Sequence, residues 1–281
     1  MNIRKRIIFN RGSSVETAFV MRVKTDNTGT GLNTQFIINT NTAAYTYNYS
    51  IATSDGQSFT GQTGNKTITF PTAGTYDIFI NGIFPFTRPN ISGQEQKLMQ
   101  IRNWGNIVWR SFENSFINCN NLIVTATDAP DLSLTTNLVA MFRSCGSFTS
   151  FNLTGWNTSN ITSMLQMFNA TTLMANVIGI GTLDLSALTN VNAMFNGNTV
   201  LNFQVGDMDI SNVTSATSFM AGVTLSTANY DDALIKFAAQ APNALTISFG
   251  SSKYTNSGAA LAARNTLTST YSWVITDGGP L

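Results

Sequence analysis

Two kinds of side chain recur in this sequence at a spacing that could assemble a reactive site. Asp131, Asn157, Asp184 and Asp209 recur at a nearly constant interval, and Cys119 and Cys145 are separated by one such interval. A column of oxygen donors could ligate a hard cation, or bring two carboxylates together for acid–base work. Two thiols on neighbouring units could reach disulfide distance. Trp104, Trp109 and Trp156 offer a third option, an aromatic platform for stacking sugar rings. Each group also has a plainer structural use. Asn interrupts the acidic column, and its even spacing suits side chains that close a turn on their own backbone. Thr171 and Asn198 continue the cysteine column, as small residues packed in a row would. The tryptophans fall in segments where core packing is the simpler role. Asp207, Asp209, Asp231 and Asp232 lack the twelve-residue loop and closing Glu of an EF-hand. Asp231 and Asp232 suit the N-terminus of the helix they open.

What is missing narrows the chemistry further. The 281 residues include no histidine, which removes Ser-His-Asp and Cys-His nucleophiles, His general bases and His-metal sites. Glu occurs only at positions 16, 95 and 113, so no glycosidase-type pair of glutamates is visible. No C-x-x-C spacing exists. No catalytic, cofactor-binding or metal-ligating residue is assigned, and a non-enzymatic protein is expected.

Charge is scarce and uneven. Only 10% of residues are charged, against roughly a quarter in an ordinary soluble domain. Arg4, Lys5, Arg6, Arg11, Arg22 and Lys24 against Glu16 give the segment up to Lys24 a net charge of +5, leaving −4 for the remainder of a +1 chain. No Lys or Arg occurs from Ser144 to Ile235. A net charge near zero gives no global steering toward nucleic acid, so no specific nucleic-acid partner is expected. Arg4, Lys5, Arg6 and Arg11 are candidates for an anchor that joins the chain to an assembly; the simpler role is a solvated tail. Ile7-Ile8-Phe9 is followed by Asn10, Arg11 and Gly12, so no apolar h-region of a secretory signal is expected. No run approaches the ~18 apolar residues of a membrane-crossing helix, and no membrane span is expected.

The elements that would position these groups fall into three parts after the basic arm of residues 1–16. Residues 17–88 read as short alternating strands separated by Gly/Asn turns, the pattern of a small β-sandwich. Tyr45, Tyr47, Tyr49 and Ile51 fall on one face at period two, and Ser54-Asp55-Gly56 is a hairpin-type turn. Residues 89–223 carry an internal repeat. Its markers Phe116, Phe142, Phe168, Phe195 and Met220 follow one another at almost equal separation. Met141, Met167, Met194 and Phe219 precede the last four markers, and Ser133, Ser159, Ser186 and Ser211 stand at one fixed offset before them. The period of about 26 lies in the range of roughly 20–29 typical of leucine-rich repeats, and it predicts a stubby solenoid of about five coils. Residues 224–281 read as a small α/β cap. Tyr230, Leu234 and Phe237 share a helical stripe, 245–249 is a strand, 259–270 a second helix, and a strand begins at Trp273. The expected fold is therefore mainly β: a sandwich, a solenoid and an α/β cap.

Several of these motifs resemble a known family. Tyr47-Asn48-Tyr49, Asp55-Gly56, Ala73-Gly74-Thr75-Tyr76-Asp77-Ile78 and Asn81-Gly82 resemble the PKD/Ig-like module that precedes repeats in BspA-like bacterial surface proteins. The family usually has an aromatic residue and an acid before the Asp-Gly, where this chain has Thr53 and Ser54. Leu98 to Gly105 resembles that family's opening coil. Asn118-Cys119-Asn120-Asn121-Leu122 and Gly155-Trp156-Asn157-Thr158-Ser159-Asn160-Ile161-Thr162 resemble its leucine-rich repeat. The tail is similar to the closing segment of such proteins in Bacteroidota and their phages. The resemblance implies an adhesive, repeat-built display protein that presents a surface to host glycan or protein. With the basic arm and the absent signal, the expectation is a bacteriophage virion component, such as a capsid decoration, head fibre or tail-associated protein. Other virion proteins would be its partners through the arm. The alternative is a bacterial cell-surface adhesin whose export signal is missing.

Overall fold

The computed structural model describes residues 16–281. Arg4, Lys5, Arg6 and Arg11 lie outside the described residues. The protein is mainly β, with two α-helices and several small sheets among the described residues.

Eight short strands build the first half: β1 (Phe19–Lys24), β2 (Gln35–Ile38), β3 (Asn48–Thr53), β4 (Ser58–Gln62), β5 (Lys66–Thr69), β6 (Thr75–Ile83), β7 (Leu98–Asn103) and β8 (Ile123–Val124). Six of them form one sheet in the order β4-β3-β6-β1-β7-β8, and β2 pairs with β5 in a separate antiparallel pair. β1 runs antiparallel to β6, with Phe19 opposite Ile80 and Val23 opposite Tyr76. Alternation decides the faces. Phe19, Met21 and Val23 enter the main core together with Tyr47, Tyr49 and Ile51 of the β3 region, while Ala18, Val20, Ala52 and Phe79 form a small cluster of their own. Phe36, Ile38 and Ile68 from β2 and β5 pack into the main core.

Two placements differ from the sequence reading. β4 is an additional strand, mostly exposed and without clean alternation, so its pairing with β3 leaves little hydrophobic signature. The stretch expected as the opening coil is instead β7, which pairs antiparallel with β1 and parallel with β8. The sheet thus runs across the boundary expected at residue 88. The free side of β1 needs a hydrogen-bonding neighbour, and β7 supplies it while burying Leu98 and Ile101.

Beyond β8 the chain folds back on itself once per repeat. Asn137, Ser163, Asn190 and Ser215 form successive parallel bridges, each to its counterpart one repeat away. The marker residues are held in the same way. The N–H of Phe116 donates to the carbonyl of Met141 at 2.9 Å, Phe142 to Met167 at 2.9 Å, Phe168 to Met194 at 3.0 Å and Phe195 to Phe219 at 2.9 Å. Their rings stack almost in parallel: Phe116 on Phe142 at 5.5 Å and 13°, Phe142 on Phe168 at 6.0 Å and 10°, Phe168 on Phe195 at 5.9 Å and 4°. The aligned backbone bonds set the rise between units, and rings on one column then meet face to face. On another side of the same units, β9 (Ser150–Asn152) and β10 (Asn176–Ile178) form a short parallel pair that sets buried Phe151 beside buried Val177.

A feature invisible in hydropathy gives each unit its shape. Asn114, Ala140, Gln166, Ala193 and Ser218 all have left-handed backbones, with φ between 49° and 57°. One turn later Asn118, Ser144, Ala170, Gly197 and Gly222 do the same, with φ between 57° and 79°. Eight of these ten positions are not glycine, and a left-handed non-glycine residue costs on the order of 1 kcal/mol. The bonds to the neighbouring unit hold them there.

The stack ends in the α/β segment. β11 (Thr246–Ser248) takes the next position, since Ala216 bridges Ile247 and the Met220 N–H donates to the Ser248 carbonyl at 2.9 Å. β12 (Val274–Thr276) then pairs parallel to β11. Helix α1 (Thr227–Ala239) is capped by Ser226, whose hydroxyl accepts from the Asn229 N–H, and buries Tyr230, Ala233, Leu234 and Phe237. Helix α2 (Gly258–Ser269) packs on α1. Asp277 ties the two together by accepting from the Tyr230 hydroxyl at 2.7 Å and pairing with Arg264 at 3.0 Å.

The stack makes the marker rings sensitive and their neighbours tolerant. Phe168→Ala should lower unfolding free energy by roughly 3–5 kcal/mol. Asn169→Ala, at the adjoining and partly exposed position, should cost under ~0.5 kcal/mol. Urea unfolding of the two variants checks this, and equal losses would contradict the assignment of inside and outside.

Candidate functional site

The recurrent acids close turns. Asp131, Asn157, Asp184 and Asp209 each accept, through Oδ1, the backbone N–H two positions on, from Ser133, Ser159, Ser186 and Ser211 at 2.9, 3.2, 3.1 and 2.9 Å. The hydroxyls of Ser159, Ser186 and Ser211 add a second bond to the same oxygen. Those bonds stabilise the ionised form and hold the Asp184 carboxyl below its ordinary range. No group of three or more Cys, Asp or Glu side chains suited to a metal occurs among the described residues. Other uncharged polar residues bond across units in the same manner. Thr162, Thr189 and Thr214 hydroxyls donate to the carbonyls of Thr136, Thr162 and Thr189, and Asn160 and Asn212 amides donate to those of Ser133 and Ser186.

The thiols and indoles are interior. Cys119 and Cys145 are free and fully buried, and burial pushes both thiols up, which keeps them protonated. The Cys145 Sγ–H donates to the Phe116 carbonyl at 3.0 Å. In the later units of this column the Thr171 hydroxyl lies 2.7 Å from the Phe168 carbonyl and 3.1 Å from Asn198 Oδ1. Trp104, Trp109 and Trp156 are buried, with Trp104 edge-on to Trp109 at 6.2 Å and to Trp156 at 5.8 Å. None of the three presents a face to solvent for a sugar ring. A buried lysine that sequence patterning did not flag, Lys97, donates to the carbonyls of Thr30, Leu32 and Gln35 at 3.1, 3.1 and 2.9 Å. It fastens the 25–35 loop to the start of β7, and desolvation lowers its pKa.

A concave feature lies elsewhere, beside β10 and the start of α1. A groove of about 910 Å³ is lined by Asn176, Thr182, Asn202, Gln204, Asp207 and Asn229, over buried Val177, Ile180 and Phe203. Glycines let its walls come together. A Cβ on Gly179 would sit 2.8 Å from the Thr154 backbone nitrogen, and one on Gly181 would sit 2.9 Å from the Asp207 Cβ. Asn202 is fixed by its Oδ1, which accepts from the Ser226 N–H at 2.9 Å and the Asn229 amide at 2.8 Å. At one end Lys236 bridges Asp207 at 2.6 Å and Asp232 at 3.0 Å, and the two carboxylates raise its pKa. Asn176, Asn202 and Asn229 stand 26 and 27 residues apart, the interval of the repeat, so periodicity carried a signal for them that the marker columns did not use. Gln204 lies outside that row.

Residues 110–233 match a family model described as Mycoplasma protein of unknown function, DUF285, a BspA-like repeat family. The match takes in all five markers and the groove, and stops inside α1. No curated protein matches the chain, and no solved structure does.

The turn geometry has a measurable electrostatic signature. In a side-chain carbon NMR titration Asp184 should show a midpoint below the ordinary 3.8, and Ser186→Ala should move it upward. Because the folded value is depressed, the turn's contribution is present above the unfolded pKa and disappears as pH falls through the folded one. A midpoint unaffected by Ser186→Ala would contradict the bonding described.

Proposed function

We propose that this protein is a non-enzymatic display scaffold, in which a sandwich-like sheet domain supports a short leucine-rich-repeat-type solenoid that presents a binding surface. One observation carries the proposal: the groups with chemical potential are spent on building the stack. The recurrent acids cap turns, the thiols lie protonated in the interior, and the tryptophans pack edge to face. The groove, by contrast, is lined mainly by neutral polar side chains, with Asp207 its one carboxylate, held by Lys236.

In its finer form the proposal is a bacteriophage virion component, as a capsid decoration, head fibre or tail-associated protein. Arg4, Lys5, Arg6 and Arg11 would join it to other virion proteins, and the repeat would face host glycan or protein. The support is the charge asymmetry, +5 up to Lys24 against −4 in the rest. A bacterial cell-surface adhesin is the second reading, favoured by the BspA-like character of residues 110–233.

Replacing Arg4, Lys5, Arg6 and Arg11 together by Ala should leave the melting temperature unchanged and abolish incorporation into phage particles, measured by co-sedimentation of tagged protein. Retained incorporation would overturn the anchor role. Capsid, portal or tail genes beside the coding sequence are the expected neighbourhood, and outer-membrane or sorting genes there would favour the adhesin.

A further inference from the structure

We infer that the groove between β10 and the start of α1 is a subsite for a neutral saccharide, a ligand class that deepens the display proposal and rests on it. The argument begins with hydrogen-bonding capacity. A sugar hydroxyl both donates and accepts, and a side-chain amide offers both functions without charge. The groove brings four such amides together, on Asn176, Asn202, Gln204 and Asn229. The side chains of two of them, Asn176 and Gln204, make no hydrogen bond to protein among the described residues. A third is oriented in advance. Both bonds to Asn202 end on its Oδ1, so its Nδ2 hydrogens are left for a ligand while the side chain is held in place. Holding a donor in position before binding removes part of the ordering cost that weak ligands cannot cover.

Charge then selects among polar ligands. No Lys or Arg occurs from Ser144 to Ile235, and Lys236 is engaged by Asp207 and Asp232. A phosphate, sulfate or sialic acid carboxylate would enter beside the Asp207 carboxylate with no free cation lining the groove to meet it. A metal ion would find one lining carboxylate, already paired. The second Asp207 oxygen remains available to accept from a hydroxyl, the charge-assisted bond that such a site can add. Shape supplies the remaining element. In β10 the side chains of Asn176 and Ile178 share the outward face while Val177 is buried between them. Within the groove the amide edge stands beside an apolar floor of Val177, Ile180 and Phe203, as the hydroxyl rim and C–H face of a pyranose require.

The test uses the full chain on an array holding neutral, sialylated and sulfated glycans, followed by isothermal titration with the best neutral oligosaccharide. Neutral glycans should dominate the signal. Asn176→Ala with Gln204→Ala should weaken binding about tenfold or more without shifting the melting temperature, since neither side chain holds the fold. Asp207→Asn is the second variant, expected to lose affinity while admitting anionic glycans. Preference of the parent for anionic glycans would overturn the inference, as would unchanged binding in the double variant. A silent array would overturn it too. Binding of the full chain to intact Bacteroidota cells then separates the two levels: cell binding with a silent array leaves the display proposal standing, and loss of both removes it.

Discussion

The structure depends on the contact between one repeat and the next. A single repeat has too little interior to bury a Phe and a Met by itself, so its apolar side is satisfied only by a similar neighbour. The contact has two parts that enforce each other. The marker N–H bonds to the carbonyl before the next marker fix the spacing, and the rings, 5.5 to 6.0 Å apart, fill the space those bonds define. The same contact stabilises the two left-handed positions per unit, which an isolated segment would relax. At each end a different element seals the stack. β8 joins the first repeat to the six-stranded sheet, and β11, β12 and the two helices follow the last.

This arrangement accounts for the composition. Most inward columns are apolar and filled by Phe, Met, Leu, Ile and Val, and the column of Cys119, Cys145, Thr171 and Asn198 admits polar residues because they bond within it. Turn columns need short side chains that bond to their own backbone, and they hold Asp, Asn, Ser and Thr. Between units, Thr and Asn donate to carbonyls one repeat away. None of these jobs calls for a cation, which explains a stretch from Ser144 to Ile235 without Lys or Arg. The surface so produced is poor in charge and rich in amides, and it is concave at the groove beside β10.

Periodicity made much of this readable from residues alone. The marker column, the turn role of Asp131, Asn157, Asp184 and Asp209, and the capped helix with Tyr230, Leu234 and Phe237 inward all follow from spacing and residue type. What spacing could not convey is pairing at a distance. β7 looked like the first coil because Leu98, Ile101 and Trp104 are apolar at suitable intervals, yet its partner β1 is separated from it in the chain by β2 through β6. The left-handed columns were equally hidden, because Ala140, Ala170 and Ala193 carry no mark of positive φ in their side chains. Lys97 reads as a surface charge until three carbonyls of the 25–35 loop converge on it. The groove is a product of two units and a helix together: Asn176, Asn202 and Asn229 keep the repeat interval, but nothing in that spacing says that their row borders a concavity.

If the stacking contact is the organising constraint, the chain should tolerate loss of a whole unit and not of half a unit. Deleting 158–184 takes out one complete repeat and joins Asn157 to Leu185, so every later column keeps its place. Deleting only 158–170 shifts every later column out of phase. Near-ultraviolet circular dichroism followed through thermal unfolding measures both at once. The whole-unit deletion is expected to keep its aromatic spectrum and one cooperative transition, and the half-unit deletion to lose both. Equal behaviour of the two deletions would contradict the account.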